Sequence, residues 1–534
     1  MDSCQPQFPL SDLKDVIEDS RDIDIKFHEY SETMKEEKPM RRKPLHSISS
    51  PEPMFVFFLY CLDCLASLVL AILVIPIVLL VSFVLNIGKW VFLTYIRYKY
   101  NCIPLEDDDA VWQQDSATNR HIIHALMILE GQPDVEKLKK LVCERLVFKV
   151  DDIGERVCPR LTQAVKECCG QFVWQEEENF DINEHFAVWE GYLPKNKGEL
   201  EDVIAELGPL PFRRNLSPWK FHIIPTKYEK PSYCFLLRIH HSIGDGVGLT
   251  RVFVKYLYDS PPAGREPRKF STKQRMYMWC KAMLMGPSLV VKKLFTSADV
   301  SAVHGQELSG LKTASWSQDI SLALVKEVKN ATGTTVNDVM VSCIAGALHD
   351  YLETRGSTVE DMCASVPVDI RATEQSLKAG NKFALVFMKL PIKANGCLER
   401  LYEAKKRMDV IKTSAEPLIT STTVTMLMAL PQWFSRPLID FFSCKMSCVL
   451  SNIPGPLELL SIGGQQVYEG LFFPPMRANI GIGLSIFSYG GKIRIGVLSD
   501  KNIISNPREI TAGFNKHFNQ LVSTLQIDDQ KKHE

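Results

Sequence analysis

The sequence predicts an α/β protein built as two halves behind an apolar N-terminal segment, and three observations carry that expectation. From about residue 120 onward, β-rich runs alternate with amphipathic helical runs. A polar stretch, PPAGREPRKFSTK at 261–273, breaks the alternation near its middle and reads as a linker. Between Cys64 and Gly88 no residue is charged, whereas a soluble helix of that length would show a polar face.

The elements follow in order. Residues 1–53 are polar and poor in aromatics, which favours a mobile tail; DLKDVIEDSRDI could form a short helix, and Ser47, Ser49 and Ser50 stand beside Arg41, Arg42 and Lys43. The tail lacks the apolar core and cleavage site of a secretory signal. Residues 54–100 form the expected transmembrane segment. Pro76 interrupts it, and cationic residues flank both ends (Arg41, Arg42 and Lys43 before; Lys89, Arg97 and Lys99 after), so both one tilted span and a re-entrant hairpin fit, the equal flanks favouring the hairpin. Residues 101–260 make the first half. It holds a strand at 120–131, an amphipathic helix at 134–147, a strand at SYCFLLRIH (232–240) and a helix at 248–260. The linker is drawn over 261–317 and includes an apolar-rich helix at 275–295, for which core packing is the leading expectation and an interface or a bilayer surface the alternative. Residues 318–534 form the second half: two helices, strands at 363–371, 382–392, 446–453, 478–488 and 492–499, and a closing helix.

Composition narrows the function. Lys plus Arg number 62 and Asp plus Glu 63, with no basic stripe, which disfavours a nucleic-acid partner. The 15 cysteines are scattered and odd in number, as expected of free thiols in a reducing compartment. Cys61 and Cys64 form the only CxxC and have no second pair, so no metal site is expected. Asn215 and Asn330 open glycosylation sequons, relevant only to a lumenal body.

The chemistry concentrates in HHSIGDGVG (240–248), at the end of an apolar strand. Period-two alternation sends His240 and His241 to opposite sides, so one can face a cavity while the other packs. The Gly244-Asp245-Gly246 turn brings a carboxylate back toward the histidine loop. An imidazole near its ordinary pKa of about 6.5 suits removal of a proton from a hydroxyl.

HHSIGDG fits the HHxxxDG signature of CoA-dependent acyltransferases, and further stretches resemble the wax ester synthase/diacylglycerol acyltransferase family. These are FDINEHF (180–186), LGPLPFRRNLSPWKFHII (207–224), TVNDVMVSCIAGALHDYL (335–352), SVPVDIR (365–371), AGNKFALVFMKLPI (379–392) and SNIPGP (451–456). Ser217-Pro218-Trp219 departs from that family's Pro-Leu-Trp. The resemblance runs in order from about residue 104 to 525. It implies two chloramphenicol-acetyltransferase-like halves with the active site in a tunnel between them. His241 would be the general base and His240 its packing partner. Asp245 would hold the loop through a charge pair with Arg371, and Gly246 would permit the turn. Asn337 and Asp338 would fix tertiary contacts, while Asn452 and Gly455, with Ser451, would shape the tunnel. The implied substrates are acyl-CoA, as co-substrate with no other cofactor, and a long-chain alcohol or diacylglycerol, with wax synthesis placed first. The implied setting is the endoplasmic reticulum membrane, or else the plasma membrane, with the body cytosolic. A carrier-protein-dependent condensing enzyme would need a module this chain lacks; a catalytically inactive lipid-binding or scaffold protein of the same fold is the non-enzymatic alternative.

Overall fold

The computed structural model describes residues 53–228, 230–260, 262, 272–357, 359–371, 380–430 and 432–527. The expected mobile tail, its short helix and serines, and most of 261–273 lie outside the described residues. The chain divides into Met1–Leu62, of which only the opening turns of one helix are described, and Asp63–Glu534.

That helix, α1 (Pro53–Tyr100), runs unbroken through Pro76. The favoured re-entrant hairpin is therefore corrected to one continuous helix. A turn at Pro76 would leave several apolar-flanked backbone groups without partners, whereas a helical proline forfeits essentially one hydrogen bond. At 1.5 Å per residue its 48 residues extend about 72 Å, over twice the thickness of a bilayer's hydrocarbon layer. Leu65–Tyr100 is long and apolar enough to cross a membrane, and hardly any of it is buried against protein.

The body consists of two large sheets. In the first, β1 (Ile122–Glu130), β2 (Trp219–Pro225) and β3 (Ser232–His240) are antiparallel neighbours in the order β1-β3-β2. Every residue of β3 is buried, as its unbroken apolar run requires. The loop after β3 leads into α2 (Gly246–Tyr256), which is followed by α3 (Thr272–Phe295).

The second sheet begins with β4 (Lys312–Trp316), inside the segment drawn as linker, so the second half starts earlier than its sequence boundary at 318. After α4 (Val336–Glu353) come β5 (Cys363–Asp369), β6 (Phe383–Lys389), α5 (Glu416–Met428), α6 (Gln432–Ser443) and β7 (Cys448–Pro454). Next, β8 (Gln465–Phe473) leaves its own half and pairs antiparallel with β1 of the first sheet. β9 (Ile482–Tyr489) and β10 (Lys492–Asp500) return, completing the order β6-β5-β7-β9-β10-β4, and α7 (Arg508–Thr524) closes the chain against α4. The halves are thus interleaved rather than consecutive. Alternation within QQVYEGLFF reveals a strand but not which sheet it joins.

The 275–295 helix also departs from expectation. Ala282 of α3 packs with Ala415 and Ile419, but Met276, Tyr277, Trp279 and Phe295 are exposed, so α3 is a surface helix.

Candidate active site

β3 ends at His240, and His241 opens the turn that follows, in which the Ile243 N–H donates to the His240 carbonyl at 3.0 Å. The chain then enters α2 with Asp245 as its N-cap, the carboxylate accepting from the Gly248 N–H at 2.8 Å. The same carboxylate receives Arg371 Nη2 at 2.5 Å and the Lys382 N–H at 2.9 Å, both from the other half. Asp245 and Arg371 are both buried, so their pairing replaces the water each charge has lost.

Two further side chains grip this loop. Asn381 is buried and donates to the His241 carbonyl and to Asp109, at 2.8 Å each. Arg160 pairs with Asp109 at 2.5 Å and donates to the carbonyls of Ser242 and Ile243. Burial raises the pKa of Asp109 despite Arg160 and Asn381. Neither Asn381 nor Arg160 stands among the site residues read from the sequence. Asn381 lies in the AGNKFALVFMKLPI stretch, the signal that could have found it; nothing around Arg160 marks it.

The two histidines have different surroundings. The His240 ring lies 2.8 Å from Ser242 Oγ, 3.3 Å from Gln113 and 3.4 Å from Asp115. Asp115 also meets His121 Nδ1 at 2.9 Å. Burial opposes the charge on Asp115, but the hydrogen bonds from His121 and His240 outweigh it and hold its carboxyl below the ordinary range. Asp115, His121 and His240 bring one ligand atom each within 4.8 Å of one another, close enough to hold an ion. Their contacts with one another, and that of His121 with the Trp112 carbonyl, already engage those atoms.

His241 stacks on Trp112, with ring centroids 4.0 Å apart, and Phe383 lies beside both rings, 5.5 Å from His241 and 5.8 Å from Trp112. Its Nδ1 is buried with no hydrogen-bond partner among the described residues. Burial lowers its pKa to about 3, outweighing the favourable field of Asp245, and His121 and His240 lower it further. The expected ordinary histidine is corrected to a buried imidazole held neutral against Trp112. A cleft of about 460 Å³ lies elsewhere, bounded by residues that include Lys312, Lys501 and Arg508.

Gly246 serves a different purpose from the expected turn. Its φ is not left-handed; instead a Cβ there would lie 2.4 Å from Ile453 Cδ1 of β7, so the residue permits close approach of the halves. At Gly455 a Cβ would lie 2.3 Å from the Ser488 carbonyl oxygen. Asn452 donates to Asn337 at 2.7 Å, tying β7 to α4, and Asp338 forms a capping box with Thr335 at the start of α4. The structure therefore gathers His240, His241, Asp245, Gly246 and Arg371 at the seam between the halves. Asn337, Asp338 and Asn452 sit together at the start of α4, within the second half.

A two-sheet α/β body with an HHxxxDG loop clamped at its seam is the arrangement of an acyltransferase. The chain belongs to the wax ester synthase/diacylglycerol acyltransferase family: residues 105–305 match its catalytic domain and 379–522 its C-terminal domain. A probable diacylglycerol O-acyltransferase of Mycobacterium tuberculosis is 22% identical over 453 residues, covering 78% of this chain and 95% of that protein. Among solved structures, the wax ester synthase/diacylglycerol acyltransferase from Marinobacter aquaeolei VT8 superposes with a TM-score of 0.57 at 19% identity, over 79% of this chain and 100% of the other. The first condensation domain of the calcium-dependent antibiotic synthetase gives 0.51 at 11% identity, over 80% and 96%.

Proposed function

We propose that this acyltransferase is anchored to a membrane by α1 and moves a long-chain acyl group from acyl-CoA to a long-chain alcohol, a diacylglycerol or both, with His241 as the general base. The observation that carries the reading is the clamped, uncharged imidazole. Its backbone is fixed from the second half by Asn381, and the loop's N-cap carboxylate by Arg371. A neutral ring can accept a proton, and a fixed one can do so in the geometry of attack.

The acceptor's O–H bond breaks as its oxygen bonds to the thioester carbonyl carbon, and the proton passes to the imidazole. Collapse breaks the C–S bond, and the leaving thiolate takes the proton from the imidazolium, giving ester and free CoA. No acyl-enzyme is required, because thiolate is already a good leaving group. Trp112 must lift from His241 for the reactants to meet there. Long-chain alcohols and diacylglycerol partition into lipid, which is why a bilayer anchor suits the acceptor. The setting favoured by these substrates is the endoplasmic reticulum, with the body on the cytosolic side where acyl-CoA is made.

The burial of His241 against Trp112 is the one observation that favours an inactive lipid-binding protein instead. Full-length protein in detergent, given palmitoyl-CoA with either hexadecanol or diacylglycerol, separates the two. The expected result is CoA release matched by ester, and a fall of about 10²- to 10⁴-fold in kcat/KM for His241→Ala with its circular dichroism preserved. Equal rates in the two proteins would remove His241 from the reaction; no ester from either acceptor would favour the binding protein.

A further inference from the structure

The amphipathicity of α6 is inverted. It buries Ser435, Ile439 and Ser443 and turns Trp433, Phe434 and Phe441 outward, with Trp433 78% exposed. A helix facing water would do the reverse. Helix α3 adds Met276, Tyr277 and Trp279 to the exposed apolar surface. No acidic residue occurs over its 24 positions; among its lysines Lys273 is exposed, Lys281 donates to the Thr413 carbonyl at 2.9 Å and Lys293 pairs with Glu416 of α5 at 3.2 Å.

Helix α5 links these faces. Ala415 and Ile419 at its start pack on Ala282 of α3, and Met428 at its end packs with Val111 and with Ile439 of α6. At that same end Lys89 of α1 donates to the Met428 carbonyl at 2.9 Å and pairs with Asp107. The exposed faces of α3 and α6 are therefore linked through α5 to the point where the apolar part of α1 ends and its Trp90, Arg97 and Lys99 begin. Behind them, Trp112 packs on the Val111–Met428–Ile439 cluster and also stacks on His241.

We propose that α3 and α6 form a second membrane-contacting surface, lying in the headgroup–acyl boundary of an anionic leaflet, through which the lipid acceptor reaches His241 past the Val111–Met428–Ile439 cluster. The partner is a bilayer because the surface is aromatic and cationic together and is continuous with α1. A helix with outward aromatics and a cationic, acid-free neighbour matches anionic headgroups over acyl chains. This inference rests on the membrane-anchored acyltransferase reading above.

The test reconstitutes the full chain in phosphatidylcholine vesicles containing phosphatidylserine and a phospholipid with a diazirine in its acyl chain, then maps photo-adducts by mass spectrometry. Adducts are expected on α1, α3 and α6, with those on α3 falling when phosphatidylserine is omitted, and none on α4 or α7. Adducts confined to α1 would overturn the surface and leave the anchor standing; their absence from α1 as well would overturn the anchor too. Loss of α6 adducts at high protein-to-lipid ratio, with crosslinks between copies, would show a second copy on this face and overturn the proposal. In the same vesicles a Trp433→Ser, Phe434→Ser, Phe441→Ser variant is expected to lose about 10-fold in transfer to bilayer-borne hexadecanol while keeping its rate with water-soluble butanol. Equal change with both alcohols, or none with either, would overturn the entry route. A wild type that transfers to neither alcohol would instead overturn the acyltransferase reading.

Discussion

His241 is unusual less for its neighbours' chemistry than for its lack of water. Trp112 stacks on the buried ring, and desolvation sets its charge against a nearby carboxylate. His124 and His222 share that condition: burial and the charge of Arg238 lower both to about 3. A histidine lowered in the folded chain binds fewer protons there than when unfolded. Its contribution to stability is therefore complete above about pH 6.5 and is lost as pH falls toward 3. Asp115, lowered as well, is lost in the same direction but at lower pH, while Asp109, raised by burial, acts in the opposite sense. Three histidines outweigh one carboxyl in that window, so the thermal midpoint in detergent is expected to fall steadily from pH 7 to pH 5. A flat midpoint across that range would mean that the rings are hydrated.

Among elements, the meeting of α2 with β7 decides how tightly the seam closes. Gly246→Ala would place a methyl against Ile453 Cδ1 and is expected to cost about 1–3 kcal/mol by overpacking. Ile453→Val removes that methyl group, and the double variant should recover most of the loss in chemical unfolding; an unchanged loss would place the strain elsewhere. The elements themselves were largely legible. The apolar run of β3 and the helical spacing of α4 are local patterns, and local patterns show in a single sequence. The path of β8 was not legible, because a strand's alternation does not name its partner. Nor was the covering of His241 by Trp112, which lies over a hundred residues away and carries no motif. Arg371 was legible only through the resemblance, since by itself it is an arginine after a strand.

On the scale of the molecule, the first half supplies the histidine and the second holds it. Asn381, Arg371 and Ile453 reach across to the loop, and β8 crosses to complete the first sheet. Such interleaving makes the seam a product of the whole body's folding, so the histidine is fixed before any substrate arrives. The account stands on that imidazole being uncharged in the free enzyme, where it is buried against Trp112. The most direct measurement is kcat/KM for transfer from palmitoyl-CoA to hexadecanol, taken within seconds of a jump from pH 7 to values between about 5 and 8. A base held at about 3 predicts no acid limb over that span, whereas a fall in rate with a midpoint near the ordinary histidine value of about 6.5 would contradict it.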